Sequence, residues 1–376
     1  MRNITFLSNK ILISLICVSL SALMGFWGFE GYSNLKLSSK AYSADLLDTI
    51  DQRMGSLFWK IKNFPRTASN DILFLSRLSS VHELINVETV EERKRTKQNL
   101  ENDFLQFIEE NSAYYQLRYI DEAGHEVVRV DFDEAGYEIT PEGGSQNKGM
   151  RYYFEQISQL DNHEVYISPL DLNIEDGELE NRGDEANPEY VPVVRYGTPI
   201  FNSVGERKGI IISNIYVDYF LEEIRRFQRA GEKAFLINKD GYYLAHPEQD
   251  KEFAFMFGAE DNFYLDYPEI ERENLSDFTK RRIEVGELIF SFRHVYPTVG
   301  AFEIYEGSKK TIGNHSDNDY YWILVSVSDK EEVKKIPDQM KSDYLLEMAI
   351  SLFIIALIIF SVFLIILKNS HHVPKR

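Results

Sequence analysis

Two long apolar runs bracket the sequence. Residues 11–29 contain no charged side chain, and residues 345–367 contain only Glu347. At a helical rise of about 1.5 Å per residue, each run crosses or nearly crosses the hydrocarbon core of a bilayer. The pattern therefore predicts a transmembrane helix near each end of the chain. A cleaved signal peptide is the alternative for the first run, but its length and the lack of a small-x-small cleavage site favour an uncleaved anchor.

A helical repeat follows the first apolar run. Between residues 35 and 62, apolar side chains recur at steps of three and four, as in an amphipathic helix. They are Leu46, Leu47, Ile50, Met54, Leu57, Phe58 and Ile61. Pro65 is expected to interrupt or bend this helix, and helical patterns resume in residues 71–80 and 95–112. The simplest interpretation is a long helix that leaves the membrane, with further helical segments.

The hydrophobic pattern then changes to a period of two. In "YYQLRYIDEAGHEVVRVD", residues 114–131, alternating stretches flank a polar turn that ends in glycine, which is typical of a β-hairpin. The same device returns in "AFLINKDGYYLAHPE", with Asp240 and Gly241 at the turn. Strand patterns follow each hairpin: "VVRYGTPIF" and "RKGIIISNIYV", then "ELIFSFRHV" and "YYWILVSVS". This duplicated order predicts two antiparallel sheets of about a hundred residues each, joined by the amphipathic "YFLEEIRRFQRAG".

These patterns predict the domain organisation of the whole chain. In order, we expect a cytoplasmic tail (1–10), a transmembrane helix (11–29), a stalk of helical segments (30–112), a membrane-distal sheet module (113–220), a membrane-proximal sheet module (221–344), a second transmembrane helix (345–367) and a cytoplasmic tail (368–376).

Charge predicts the orientation and limits the partners. Basic residues precede the first apolar run and follow the second, so both ends are expected in the cytoplasm and residues 30–344 on the other side of the membrane. They are Arg2, Lys10, Lys368, Lys375 and Arg376. The net charge of the chain is −19, and with these residues and Glu347 set aside residues 30–344 carry −23. Such an acidic region is a poor partner for nucleic acid.

The single cysteine, Cys17, lies in the first apolar run, so the exported region can form no disulfide.

Several segments, in this order, resemble the double Cache sensor domain. They are "YYQLRYIDEAGHEVVRVD", "QNKGMRYYFEQI", "VYISPLDLN", "VVRYGTPIFN" and "FLINKDGYYLAHPE". The resemblance covers about residues 35–340 and is closest to the extracytoplasmic parts of bacterial sensor histidine kinases and diguanylate cyclases. It implies an α+β fold: two PAS-like antiparallel-sheet (Cache) modules on a long N-terminal helix, flanked by two transmembrane helices. It also implies that the distal module binds a small ligand, and that a homodimer forms through the long helix.

The candidate pocket residues lie between the first hairpin and the strands that close its sheet. "RYYFEQI" offers a guanidinium beside aromatic rings, which suits a carboxylate-bearing metabolite; helical geometry is expected to turn Tyr152 away. "YISPLDLN" offers polar groups around a proline. The predicted ligand-binding residues are Arg151, Tyr153, Tyr166, Ser168, Asp171 and Arg195.

Each of these residues also has an ordinary structural interpretation. Arg151 and Tyr153 can serve packing and a surface ion pair. Asp171 can bind an amine or anchor Arg195, and the structural pair is slightly favoured. Arg118 and Arg129, on either side of the first turn, can pair with Asp131 or Glu126 or contact the ligand.

The chain departs from the amino-acid-binding members of the wider family. Those members carry an arginine, then Trp-Tyr, an aspartate two residues on, and another aspartate near the last strand. By resemblance, the residues of this chain that correspond to these positions are Arg151, Tyr153, Phe154, Gln156 and Asn214. The arginine is present but both carboxylates are missing. This weakens the assignment of an amino acid, because an α-ammonium group would lose the anions that compensate its desolvation.

Neither a metal site nor catalysis is predicted. The acidic stretch from residue 171 fails the EF-hand template, since position 176 is Asp and position 182 is Arg. The eight histidines lack zinc-site spacing, and no common hydrolase, nucleotide-binding or metalloprotease motif occurs. We therefore expect a non-enzymatic chain without a cofactor.

The short tails raise the question of output. Nine residues follow the second apolar run and ten precede the first, too few for a kinase or cyclase. The preferred hypothesis is a small-molecule sensor that signals through its transmembrane helices to a cytoplasmic or membrane partner. The alternatives are a non-sensing membrane subunit that scaffolds or regulates another receptor, and the sensor fragment of a truncated histidine kinase or diguanylate cyclase.

Overall fold

The computed structural model describes residues 2–133, 136–140, 146–175, 177–184, 186–228, 231–276, 281–297, 320–335 and 338–371. Residues 298–319 of the predicted second module and the last five residues of the predicted C-terminal tail lie outside the described residues.

Helices lie mainly at the two ends of the described chain. They are α1 (Arg2–Leu75), α2 (Ser79–Asn86), α3 (Val90–Glu110), α4 (Tyr152–Ser158), α5 (Asp218–Arg225), α6 (Phe263–Asp266), α7 (Arg272–Ser276), α8 (Lys330–Lys334) and α9 (Asp338–His371). Thr89 caps α3 by accepting a hydrogen bond from the backbone N–H of Glu92, and its own hydroxyl donates to the Glu92 carboxylate. This N-cap explains why α3 begins where it does.

The strands form two main antiparallel sheets. They are β1 (Tyr114–Ile120), β2 (Glu126–Asp133), β3 (Gly136–Ile139), β4 (Tyr166–Ile167), β5 (Asp171–Leu172), β6 (Ile174–Glu175), β7 (Glu178–Leu179), β8 (Pro192–Phe201), β9 (Arg207–Tyr216), β10 (Glu232–Asn238), β11 (Tyr243–Ala245), β12 (Arg282–Val285), β13 (Leu288–Val295) and β14 (Trp322–Asp329). The first sheet has the order β3-β2-β1-β9-β8-β4, with β5 also paired to β8, and the second has the order β11-β10-β14-β13-β12. Strands β6 and β7 form a small separate ribbon.

Both predicted hairpins are confirmed. Strands β1 and β2 pair with Leu117 opposite Val130, and Gly124 takes a positive φ of 84° at the turn, where glycine is strongly preferred. In the second hairpin, Leu236 pairs with Ala245 and Gly241 has a φ of 92°.

The first sheet is covered on one face by the stalk. Phe64 of α1 packs edge-to-face on Tyr196 of β8 with ring centroids 5.8 Å apart. It also contacts Phe220 of α5 at 5.7 Å. The expected interruption at Pro65 is wrong, because α1 continues through it to Leu75. Packing of the apolar face around Phe64 offsets the hydrogen bond that proline cannot donate.

Contacts divide the chain into two compact units: Met1–Asp51 with Lys330–Arg376, and Gln52–Asp329. Both sheets belong to the second unit. Among the described residues, one helical stretch is long and apolar enough to span a membrane by length and composition; it is Lys330–Ser361, most of which lies in α9. This agrees with the predicted second span, whereas insertion of residues 11–29, which lie within α1, remains a prediction.

Candidate functional site

The first sheet carries a row of buried polar side chains on one face. Arg118 lies on β1, Asn214 on β9 and Arg195 on β8, and all three are buried. Arg195 and Asn214 are direct cross-strand partners. Arg118 is opposite Ile212, which is two residues from Asn214 on the same strand. Because side chains alternate between the faces of a sheet, these positions share one face.

Helix α4 covers this face beside the polar row. Tyr153 and Ile157 of α4 are buried and pack with Ile210 and Ile212 of β9. Gly197 on β8 permits this close approach, since a Cβ atom there would lie 2.4 Å from Cδ1 of Ile157. A larger residue at position 197 would force the Ile157 side chain to shift.

The Arg118 guanidinium is held from three sides. Its Nη2 donates a hydrogen bond to Oδ1 of Asn214 at 2.9 Å. Its Nη1 makes longer contacts, at 3.3 Å to the Tyr153 hydroxyl and 3.4 Å to a carboxylate oxygen of Glu126. The Nε atom is buried and has no hydrogen-bond partner in the part of the chain that the structure describes. Buried donors without an acceptor are rare in proteins, so this unused donor needs an explanation.

Two asparagine amides connect Arg118 to Arg195. The Asn214 Nδ2 donates to Oδ1 of Asn173 at 3.1 Å, and the same oxygen accepts from Nη2 of Arg195 at 2.9 Å. Asn173 in turn donates to the Glu180 carboxylate at 2.8 Å. The face therefore carries a continuous network from β1 to β8 in which neutral amides lie between the two guanidinium groups.

Ser168 and Asp171 fix the position of Arg195. The Asp171 carboxylate accepts from Nη1 of Arg195 at 2.7 Å. The Ser168 hydroxyl accepts from the backbone N–H of Arg195 at 2.8 Å and donates to the carbonyl of Pro169 at 2.7 Å. Burial raises the pKa of Asp171, while the neighbouring Arg195 acts to lower it. The structural pairing of Asp171 with Arg195, favoured from the sequence, is therefore present.

Two tyrosine hydroxyls lie at the outer side of the network. The Tyr166 hydroxyl is buried near that of Tyr152, yet it makes no hydrogen bond of standard geometry within the described residues. Burial raises the pKa of both tyrosines. The Tyr152 side chain was expected to turn away, but its ring packs edge-to-face on Tyr153 at 5.6 Å. It remains 47% exposed, so it lies where the site meets solvent.

Arg151 precedes α4 at the edge of the site. Its backbone N–H donates to the carbonyl of Lys148 at 2.9 Å. Its half-buried side chain makes no hydrogen bond or ion pair with any residue that the structure describes. Arg151 is thus near Tyr153 in sequence but is not joined to the Arg118–Arg195 network.

Arg129, directly opposite Arg118, belongs to an ion-pair cluster that adjoins the network, because its Nη1 lies 4.0 Å from the Glu126 carboxylate that Arg118 also contacts. It donates to Asp131 at 2.7 Å and to Glu175 at 2.8 Å. Burial acts to raise the pKa of Glu175, but Arg129 holds it below its ordinary value. The predicted pairing of Arg129 with Asp131 is confirmed, and Arg118 contacts Glu126, although more loosely.

Sequence reasoning missed the amides at the centre of the network. Asn173 stands out in the sequence only as an oxygen donor in the acidic stretch that fails the EF-hand template, where a polar residue looks solvated. Asn214 was noticed only as a missing carboxylate. Its place on a mostly apolar strand, "IIISNIYV", was the available signal for a buried polar contact.

The site has donors suited to an anion and no evident metal chemistry. Among the described residues, no group of three or more His, Cys, Asp or Glu side chains could hold a metal ion. Guanidinium and phenol donors beside aromatic rings recognise carboxylate-bearing small molecules in forked, stacked arrangements.

Comparison with known proteins identifies the family. The family model for the sensor domain of bacterial histidine kinases matches residues 71–273, more than half of the chain. The chain belongs to this bacterial histidine kinase sensor domain family. The matched region contains the whole first sheet, its polar row and the first hairpin of the second sheet.

Solved sensor domains share this fold. The extracellular domain of the histidine kinase vpHK1S-Z8 aligns with a TM-score of 0.59 and 17% identity, covering 80% of this chain and 98% of that domain. A domain of a sensory box/GGDEF family protein from Vibrio parahaemolyticus aligns with a TM-score of 0.60 and 18% identity, covering 79% and 99%. No curated protein matches the chain by sequence. The resemblance to Cache-type sensor domains is confirmed at the level of the fold.

Proposed function

We propose that the chain is a membrane-anchored extracytoplasmic sensor that binds a small carboxylate-bearing metabolite in its first module and signals through its transmembrane helices to a partner. The observation that carries this proposal is the unused donor at Arg118 Nε, buried beneath α4. The buried Tyr166 hydroxyl, which lies near that of Tyr152, adds a second polar group on the same side. A carboxylate that enters beside α4 supplies the missing acceptors, and aromatic rings pack its apolar part.

The six residues predicted from the sequence take two roles in this proposal. Tyr153, Tyr166 and, at the rim, Arg151 contact the ligand. Ser168, Asp171 and Arg195 hold the far end of the network. Arg118 is added to the ligand-contacting group, because it is the buried cation with a free donor.

The proposed topology has both chain ends in the cytoplasm and residues 30–344 outside, divided at residues 113, 221 and 345 as the sequence predicts. One contact within the first compact unit supports two neighbouring spans. A Cβ atom at Gly31, just after the first apolar run, would lie 2.7 Å from the ring of Tyr344, just before the second. The end of the first apolar run and the start of the second therefore lie close together, which supports the proposed two-pass arrangement.

A non-sensing membrane subunit is the second candidate, and one observation favours it. Arg195 is already paired with the Asp171 carboxylate at 2.7 Å. Arg129 is already paired with two carboxylates, at 2.7 Å and 2.8 Å. In this interpretation the polar row only stabilises the fold, and Arg118 is a structural residue with one unused hydrogen-bond donor.

Thermal shift separates the two candidates. The full chain in lipid nanodiscs is melted with a panel of mono- and dicarboxylates, amino acids and amines. A ligand at one hundred times its Kd stabilises the native state by about 2.7 kcal/mol, so binding raises the melting temperature. The sensor proposal expects a carboxylate to give this shift and Arg118→Lys, which lacks the Nε donor and the fork, to remove it. Arg226→Lys is the control, since that side chain is 78% exposed and, among the residues that the structure describes, bonds only Glu222. A panel without any shift favours the second candidate.

A further inference from the structure

The segment of residues 168–173, which carries Ser168, Asp171 and Asn173, is hydrogen-bonded directly to the second module. The backbone N–H of Leu170 donates to the Tyr320 hydroxyl at 2.6 Å. The backbone N–H of Leu172 donates to the sulfur of Met256 at 3.0 Å. Asp171, between them, pairs with Arg195. One short segment therefore contacts the ligand site with one residue and the second module with its two neighbours.

Tyr320 ties this segment to the central strand of the second sheet. Its hydroxyl accepts a second hydrogen bond, at 2.8 Å, from Nε1 of Trp322. Trp322 is the fully buried first residue of β14 and packs at 6.3 Å from Phe220 of α5. Strand β14 lies between β10 and β13 and continues into α8 at Lys330. A single hydroxyl thus accepts N–H groups from both modules.

The bond to Leu170 is hard to replace once it is lost. Leu170 is buried, so water does not reach its amide freely. A buried N–H without an acceptor is strongly unfavourable. Movement of residues 168–173 must therefore break this bond at a cost or carry the Tyr320 hydroxyl along with it.

We propose that Tyr320 is a positioning residue of the ligand site, holding residues 168–173 against Arg195 and passing any shift of Asp171 to β14 through Trp322. This rests on the proposed function, because it names the route by which occupancy of that site reaches the strand before the second span. The proposal states that Asp171 and Trp322 are energetically coupled and that this coupling requires the Tyr320 hydroxyl.

The test uses Trp322 as its own reporter. The chain has three tryptophans, so Trp27→Phe and Trp59→Phe in the full chain in nanodiscs leave only Trp322. Asp171→Asn is then added to break the ion pair with Arg195 without any ligand, with and without Tyr320→Phe. Tyr119→Phe is the matched control, because it also removes one hydroxyl hydrogen bond, to the carbonyl of Lys208.

We expect Asp171→Asn to change Trp322 emission in the Tyr320 and Tyr119→Phe backgrounds but not in the Tyr320→Phe background. Equal changes in emission with and without the Tyr320 hydroxyl, or no change in either background, overturn the proposal.

Amide exchange gives a second measurement that does not need Tyr320→Phe to fold. Asp171→Asn should speed exchange at Leu170 about five- to tenfold, the equivalent of one hydrogen bond, and unchanged Leu170 exchange also overturns it. Since no ligand is added, a failed carboxylate screen and a failed coupling are distinguishable.

Discussion

Arg195 and Asp171 form an ion pair of 2.7 Å between β8 and β5, and its two members differ in burial. The Arg195 side chain is 6% exposed and that of Asp171 is 21% exposed. The pair closes the edge of the polar network, because Arg195 also bonds Asn173 and, through it, Asn214. Loss of either partner therefore affects more than one contact.

Asp171→Asn should destabilise the protein more than removal of the whole pair. The single change leaves Arg195 buried without a compensating charge, which costs about 3 kcal/mol, at the low end for such pairs because Asp171 is partly exposed. Asp171→Asn with Arg195→Met should recover part of this loss. Melting temperatures of the full chain in nanodiscs measure the loss of stability in the single variant and its partial recovery in the double variant. A double variant less stable than the single one would contradict this view of the pair.

Gly197→Ala tests the close approach of α4 to the sheet. The added methyl meets Cδ1 of Ile157 at 2.4 Å, so we expect a loss of about 1–3 kcal/mol from overpacking and a weaker carboxylate-induced thermal shift. Ile157→Val removes that Cδ1 atom, and in combination it should restore most of the stability.

The glycine control lies in α1. Nothing lies within 4 Å of a Cβ atom at Gly55, so Gly55→Ala should leave stability unchanged or raise it by about 0.5–1 kcal/mol. If Gly197→Ala behaved like Gly55→Ala, α4 would not be held at the distance that the structure gives.

The second module should lose stability on mild acidification because of His246. Burial lowers the pKa of His246 and outweighs the contact of its Nδ1 with the Glu248 carbonyl at 3.0 Å, which acts to raise it; the neutral Nδ1 can instead accept from the backbone N–H of Glu248 at 2.8 Å. Protonation is thus less favourable in the folded state than in the unfolded chain, where the pKa is about 6.5. Stability is complete above that pH and declines as the pH falls toward the lower folded pKa.

The measurement is the melting temperature between pH 7.5 and 5. Lys251 acts with burial to lower the pKa of His246, whereas Glu248 and Asp266 act to raise it. His246→Asn keeps an acceptor for Glu248 N–H but does not titrate, so it should flatten the decline. Some decline should persist, because burial also lowers the pKa of His294. If the melting temperatures of His246→Asn and the native chain declined equally with falling pH, His246 would not be the cause of the decline.

The sequence predicts the scaffold well and the network poorly, for physical reasons. The hairpin turns at Gly124 and Gly241 depend on local chemistry and a period of two, both readable from neighbouring residues. Pro65 shows the limit of local rules, since α1 continues through it where Phe64 packs on Tyr196 of β8 and Phe220 of α5, contacts that no local pattern predicts. The link from Arg118 to Arg195 through Asn214 and Asn173 joins four segments, and such a contact has no local signature. Likewise, the bond from Leu170 to Tyr320 spans 150 positions.

Membrane topology can be tested with single cysteines. Cys17 is the only native cysteine, so Cys17→Ser gives a background without thiols. Val204, 77% exposed in the turn between β8 and β9, is replaced by Cys in one variant and Lys375 in another. Because basic flanks place both ends inside, we expect an impermeant maleimide to label Val204→Cys in intact spheroplasts and Lys375→Cys only after lysis. Labelling of Lys375→Cys before lysis, or protection of Val204→Cys, would reverse the proposed orientation. The first module could then no longer meet a ligand from outside the cell.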